Sequence, residues 1–126
     1  MVKMRYGTPG AGGQGARVSL LWDNPNVTST FGAQTVTLSN GIKGFDLILV
    51  SYYFSTSYPY MRTQLFIAGD VMSESCELTV ASNNGATGKR RFTAPTDSTV
   101  DFTAATYSGS TSNGSVIPVA IYGIKL

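Results

Sequence analysis

Apolar residues in this chain recur at every second position, and clusters of turn-forming residues interrupt them roughly every eight to twelve residues. A period of two is the pleat of a β-strand, whose successive side chains point to opposite faces; a helical bundle needs a period of 3.6. In Gln34 to Ser39, Val36 and Leu38 fall on one face while Thr35 and Thr37 fall on the other. Cys76, Leu78 and Val80 alternate in the same way with Glu77 and Thr79. The breaks carry turn chemistry: Asp23-Asn24-Pro25-Asn26, Ser39-Asn40-Gly41 and Asn83-Asn84-Gly85. The pattern predicts eight strands, over Arg17 to Trp22, Gln34 to Ser39, Phe45 to Phe54, Met61 to Ala68, Cys76 to Ala81, Arg90 to Thr93, Thr99 to Tyr107 and Val116 to Ile124, and requires no helix. Leu47 to Val50 is apolar on both faces, so this strand is either central or covered on its second side by another chain. The expected fold is all-β: an antiparallel β-sandwich, jelly-roll-like, of about eight strands.

A chain of 126 residues builds one such core and not two. Residues 1–16 stand apart from it. Gly7, Gly10 and Gly13 lie three apart in a stretch with no large side chain, which suits either a short collagen-like run or a flexible linker. Residues 17–126 are the expected sandwich domain.

Composition narrows the chemistry. Histidine is absent, which removes the commonest general base and zinc ligand, and the single cysteine, Cys76, can form neither an intrachain disulfide nor a metal cluster. Cys76 alternates with Leu78 and Val80 and reads as a small buried hydrophobe. Charged residues make up 13% of the chain against about 25% in an ordinary domain. Its polar surface is therefore hydroxyl and amide, with 29 Ser and Thr. The net charge of +2 comes from Lys3, Arg5 and Arg17; from residue 18 onward six basic residues face seven acidic ones. The one basic cluster, Lys89-Arg90-Arg91, reads as a solvated strand end or loop, so no nucleic-acid partner is expected. No apolar window is long enough to cross a membrane, and Met1 to Arg17 lacks the apolar stretch of a signal peptide. Among the acids, Asp70, Glu74, Glu77, Asp97 and Asp101 are the only candidates for paired-carboxylate chemistry, and nothing in their spacing singles out a pair. No enzymatic activity, cofactor or metal is expected.

Two segments have the composition of a recognition surface. Ser51 to Tyr60 holds five aromatics within nine residues, and Tyr58 and Tyr60 fall on its Ser- and Thr-rich loop. Aromatic rings stack on the apolar faces of sugars while the phenol hydroxyl takes a hydrogen bond. Thr106 to Ser115 combines Tyr, Ser, Gly and Asn, the composition of adaptable binding loops, and offers Tyr107, Ser110 and Asn113 as contacts. Asn83 to Gly88 is a similar, shorter loop.

Four motifs carry a resemblance: Leu21-Trp22-Asp23-Asn24-Pro25, Phe31-Gly32-Ala33-Gln34-Thr35-Val36, Gly44-Phe45-Asp46, and the closing Ile117-Pro118-Val119-Ala120-Ile121-Tyr122-Gly123-Ile124-Lys125-Leu126. Together they resemble the C-terminal head domains of phage and prophage tail-fibre and minor structural proteins, over residues 20–126. Gly32 departs from the pattern, where a second Ala would stand, and Tyr52 to Ala94 matches only in general character. The resemblance implies a virion or otherwise extracellular protein without a signal peptide, a homotrimer joined to an upstream fibre shaft, and attachment to a host cell-surface polysaccharide or other receptor. Two alternatives stand beside it: a purely structural trimerising tip, and a stand-alone carbohydrate-binding module.

Overall fold

The computed structural model describes residues 15–126, so the Gly7, Gly10 and Gly13 triplets lie outside the described residues. The chain forms β1 (Arg17–Asp23), β2 (Gln34–Thr37), a 3-10 turn (Ile42–Gly44), β3 (Leu47–Ser55), β4 (Met61–Ile67), α1 (Ala68–Ser73), β5 (Cys76–Ala81), β6 (Thr87–Thr96), β7 (Thr99–Phe102), β8 (Thr106–Tyr107), β9 (Ser110–Thr111) and β10 (Ser115–Lys125). All pairings are antiparallel. One sheet runs β1-β10-β3-β4; the second runs β2-β7-β6-β8-β9, with β5 also paired to β6. The result is an all-β sandwich. Its jelly-roll character lies in the ends of the chain: β1, β2 and β3 alternate between sheets, and the last strand lies between β1 and β3. Between them, β3–β4 and β5–β6–β7 stay within one sheet as hairpins.

The core is the inner face of both sheets. Ile48, Val50 and Tyr52 from β3 and Ile117 and Ile121 from β10 meet Leu78, Val80, Phe92, Val100 and Phe102 from the opposite sheet. Aromatic rings span the gap: Phe66 meets Phe92 edge-on at 5.0 Å, and Trp22, Phe31 and Phe102 form a cluster with centroids 5.4–6.1 Å apart. Tyr52 is buried in this core because its hydroxyl donates to the Thr79 carbonyl at 2.9 Å, with the Gln64 side-chain oxygen 3.3 Å away. Cys76 is buried, as its alternation predicts, and burial raises its thiol pKa, with Glu74 and Asp70 adding to the rise.

Three expectations are corrected. The chain contains a helix: α1 carries the chain from the edge of one sheet to the edge of the other, burying Ala68 and Val71. One and a half turns of helix hold too few residues to show a period in the sequence. The described residues form ten strands, where the sequence pattern predicts eight. β7 and β8 follow one another along the same edge of β6, joined by Thr103 N–H donating to the Arg91 carbonyl at 2.9 Å, so the predicted strand Thr99 to Tyr107 is one course broken in the middle. β9 is a two-residue return on β8.

The third correction explains that break. Arg90 is no solvated strand end; it is 1% exposed and lies between the sheets. Its Nε donates to the Val116 carbonyl at 2.8 Å, one Nη to the Thr103 carbonyl at 2.7 Å and the other to the Ser115 carbonyl at 3.2 Å. The guanidinium also sits 5.1 Å from the centre of the Phe31 ring. Burial lowers its pKa to about 10, which leaves it charged at neutral pH. Its neighbours Lys89 and Arg91 are exposed, as alternation along β6 requires.

Candidate functional site

The β3–β4 hairpin is closed by a tight turn centred on Pro59. Tyr60 N–H donates to the Tyr58 carbonyl at 2.7 Å, a three-residue turn that the fixed φ of proline suits. Tyr58 is held further by its N–H to Ser55 Oγ at 3.0 Å and its carbonyl to Ser55 N–H at 3.1 Å. Reversal over one residue brings the two phenol rings together, 6.2 Å apart and within 21° of parallel. Both remain open to solvent, Tyr58 at 57% and Tyr60 at 61%. Phe54, partly buried two residues beyond Tyr52 on the same face of β3, meets Tyr58 edge-on at 6.5 Å and Tyr107 of β8 at 6.3 Å.

These rings line an open groove of about 400 Å³ at one end of the sandwich, between the β3–β4 hairpin and the β5–β6 turn. Its other walls are Arg62, Ala81, Ser82 and Asn83. The β5–β6 turn is stiff for its length. Ser82 N–H donates to the Ala86 carbonyl at 2.9 Å, Asn84 Oδ1 accepts from Ala86 N–H at 3.1 Å and from the Ser82 hydroxyl, and Gly85 takes φ +85°. Tyr107 is fixed by the β8–β9 hairpin, whose two central residues, Ser108 and Gly109, both have positive φ, as a type I′ turn requires.

Of the five residues that composition nominated, the fold brings three together: Tyr58, Tyr60 and Tyr107 share the groove. Ser110 and Asn113 do not line it. Ser110 is exposed on β9, and Asn113 is structural, its side-chain oxygen accepting from Ala105 N–H at 3.3 Å and its carbonyl from Phe31 N–H at 2.9 Å. The Thr106 to Ser115 segment, which composition makes a long polar loop, is a tight hairpin followed by a second turn closed by Ser115 N–H to the Ser112 carbonyl at 3.0 Å. Sequence reasoning missed Phe54 and Arg62 as groove residues. Phe54 shares a face of β3 with Tyr52, which alternation alone gives, whereas Arg62 pairs across the ladder with Tyr52, which only the strand register reveals.

Three of the five candidate acids, Asp97, Asp101 and Glu77, serve structural ends. Asp97 accepts Lys43 N–H at 2.7 Å and holds the 3-10 turn, Asp101 accepts from the Thr35 hydroxyl at 2.5 Å, and Glu77 pairs with Arg91 at 3.3 Å. None of the five lines the groove.

A second surface is the outer face of the four-stranded sheet. Antiparallel register places Leu20, Tyr122, Leu49 and Leu65 in one row across all four strands, and Val18, Ile124, Leu47 and Ile67 in the next. Leu65 and Ile67 are more than half exposed, and neither row contains a charge.

No protein-family model, curated protein or solved structure matches this chain. Among the described residues no helix is long and apolar enough to cross a membrane.

Proposed function

We propose that this domain is the head of a phage or prophage tail fibre, and that it attaches to a host-cell surface by non-covalent binding of a receptor carbohydrate in the Tyr58–Tyr60–Tyr107 groove. The observation that carries the reading is the groove itself: a stacked, solvent-facing tyrosine pair and a third tyrosine, mounted on tight turns at one end of a rigid sandwich. Aromatic faces take the apolar side of a sugar ring, and the phenol hydroxyls with Ser82 and Asn83 supply hydrogen bonds to its hydroxyls. Binding needs no catalytic step, cofactor or metal. A single site of this openness is weak; several copies on one fibre raise its effective strength without new contacts.

The apolar outer face of the four-stranded sheet supports a homo-oligomer, and we take a further copy of this chain, in the trimer implied by the resemblance, as its occupant. Of Leu47 to Val50, Ile48 and Val50 fill the core, while Leu47 and Leu49 stay partly exposed on the outer face, where such a partner would cover them. The same face also favours the alternative of a structural trimerising tip. Glycan-array binding separates the two. Tyr58→Ala and Tyr60→Ala are each expected to weaken binding by roughly 1–2 kcal/mol, or about five- to thirtyfold, with the fold intact. A properly folded oligomer that binds no glycan and no host-cell surface leaves only the structural reading.

A further inference from the structure

Resting on the groove as a carbohydrate site, we propose that its ligand carries an anionic group, a carboxylate or a phosphate next to the stacked sugar ring, and that Arg62 receives it. Arg62 is the only charged residue among those lining the groove, and no acid lines it. Among the described residues its guanidinium makes one hydrogen bond, from an Nη to the carbonyl of its own neighbour Met61 at 3.3 Å. The ion pairs of the described residues, Glu77 with Arg91 and Asp46 with Lys125, lie elsewhere. A guanidinium has five N–H donors in a planar fork that matches a carboxylate or phosphate bidentately, so most of its capacity faces the groove unused.

The rest of the fold makes the contrast. Arg90, the other arginine without a carboxylate partner in β4 to β6, spends its donors on three backbone carbonyls and is sealed from solvent. Arg62 sits on β4, an edge strand of its sheet, beside exposed aromatic rings. A neutral sugar would use the aromatic surface and leave this charge uncompensated; an acidic one uses both. A single-stranded nucleic acid also combines bases with anions, but it needs a run of cations along its backbone, and this groove has one.

The test uses the full chain and a panel of acidic oligosaccharides, uronate-bearing and phosphate-bearing, each paired with its methyl-esterified or dephosphorylated form, titrated against the amide and arginine Nε–H resonances. The acidic members are expected to bind at least about tenfold more tightly than their neutral counterparts at low salt, with the preference shrinking as salt rises. Arg62→Gln is expected to abolish the preference for the acidic member of each pair, and Tyr58→Ala to weaken both forms. The uronate and phosphate arms tell which anion is preferred. Equal affinity for acidic and neutral forms, unchanged by Arg62→Gln, overturns the role of Arg62 and leaves the carbohydrate groove standing. Absence of any shift at Tyr58, Tyr60 and Tyr107 with every sugar overturns the groove and the inference together. Tighter binding of oligothymidylate than of any sugar overturns the choice of ligand class.

Discussion

Arg90 shows how far a single side chain can depart from what its neighbours in sequence suggest. It lies in the only basic triplet of the chain, yet its partners are the carbonyls of Thr103, Ser115 and Val116, between 13 and 26 residues away. Val116 is fully buried with φ +48°, a conformation that costs a β-branched residue steric energy, and Arg90 Nε takes its carbonyl. The guanidinium therefore clamps the strained entry to β10 by donating to two successive carbonyls there, those of Ser115 and Val116. Arg90→Ala leaves three carbonyls short of a donor and is expected to lose about 3 kcal/mol or more in urea denaturation. Arg90→Lys should recover only part of this, because an ammonium cannot span three divergent acceptors. A loss below about 1 kcal/mol for the alanine variant would refute the clamp. By contrast, Cys76, Leu78 and Val80 were readable from the sequence, since burial by alternation is a local property of a strand.

At the scale of elements, turns decide the groove. The type I′ hairpin between β8 and β9 puts Ser108 at φ +52°, where a residue other than Gly or Asn pays for its Cβ. Ser108→Asn creates an Asn-Gly turn and is expected to stabilise the protein by about 0.5–1 kcal/mol, seen as a higher midpoint in thermal unfolding. An unchanged or lower midpoint would show that the turn is not of this type in solution. The existence of most strands was legible, but their breaks were not. The course Thr99 to Tyr107 is interrupted where Thr103 gives its carbonyl to Arg90, and no property of Thr103 itself announces that. The motifs behind the tail-fibre resemblance also prove to be architecture. Asn24 donates to the Pro118 carbonyl at 2.9 Å, Trp22 packs on Phe31, and the Phe45 ring lies where a side chain on Gly123 would have to sit. Asp46 N–H in turn donates to the Ile124 carbonyl at 2.9 Å. They meet around β1 and β10, and none of these residues lines the groove.

For the whole molecule, the two sheets divide the labour. The groove opens between them at one end, while the outer face of β1-β10-β3-β4 is an apolar plane. Two rows across four strands cover roughly 19 by 13 Å, on the order of 250 Å². That is well below the ~800 Å² per partner of a stable interface, so association through this face alone should be concentration-dependent. Sedimentation of the full chain is expected to show a mass that rises with concentration, and the exposed pair Leu20→Lys with Leu65→Lys to hold it as a monomer of nearly unchanged stability. A wild-type chain that stays monomeric at every concentration would remove the face from the proposed trimer.

Alternation along the chain determined by itself that this protein is an antiparallel sandwich, which residues of each strand turn inward, and where most turns fall, because a strand's two faces are written into adjacent residues. Composition nominated Tyr58, Tyr60, Tyr107, Ser110 and Asn113 as contact candidates. Only the tertiary structure decided that the three tyrosines share one groove with Arg62 and Phe54, that Ser110 and Asn113 stand apart from it, and that Arg90 is buried. Each of those outcomes depends on register and on which sheet a hairpin joins, and both are set by pairings between residues far apart in the chain.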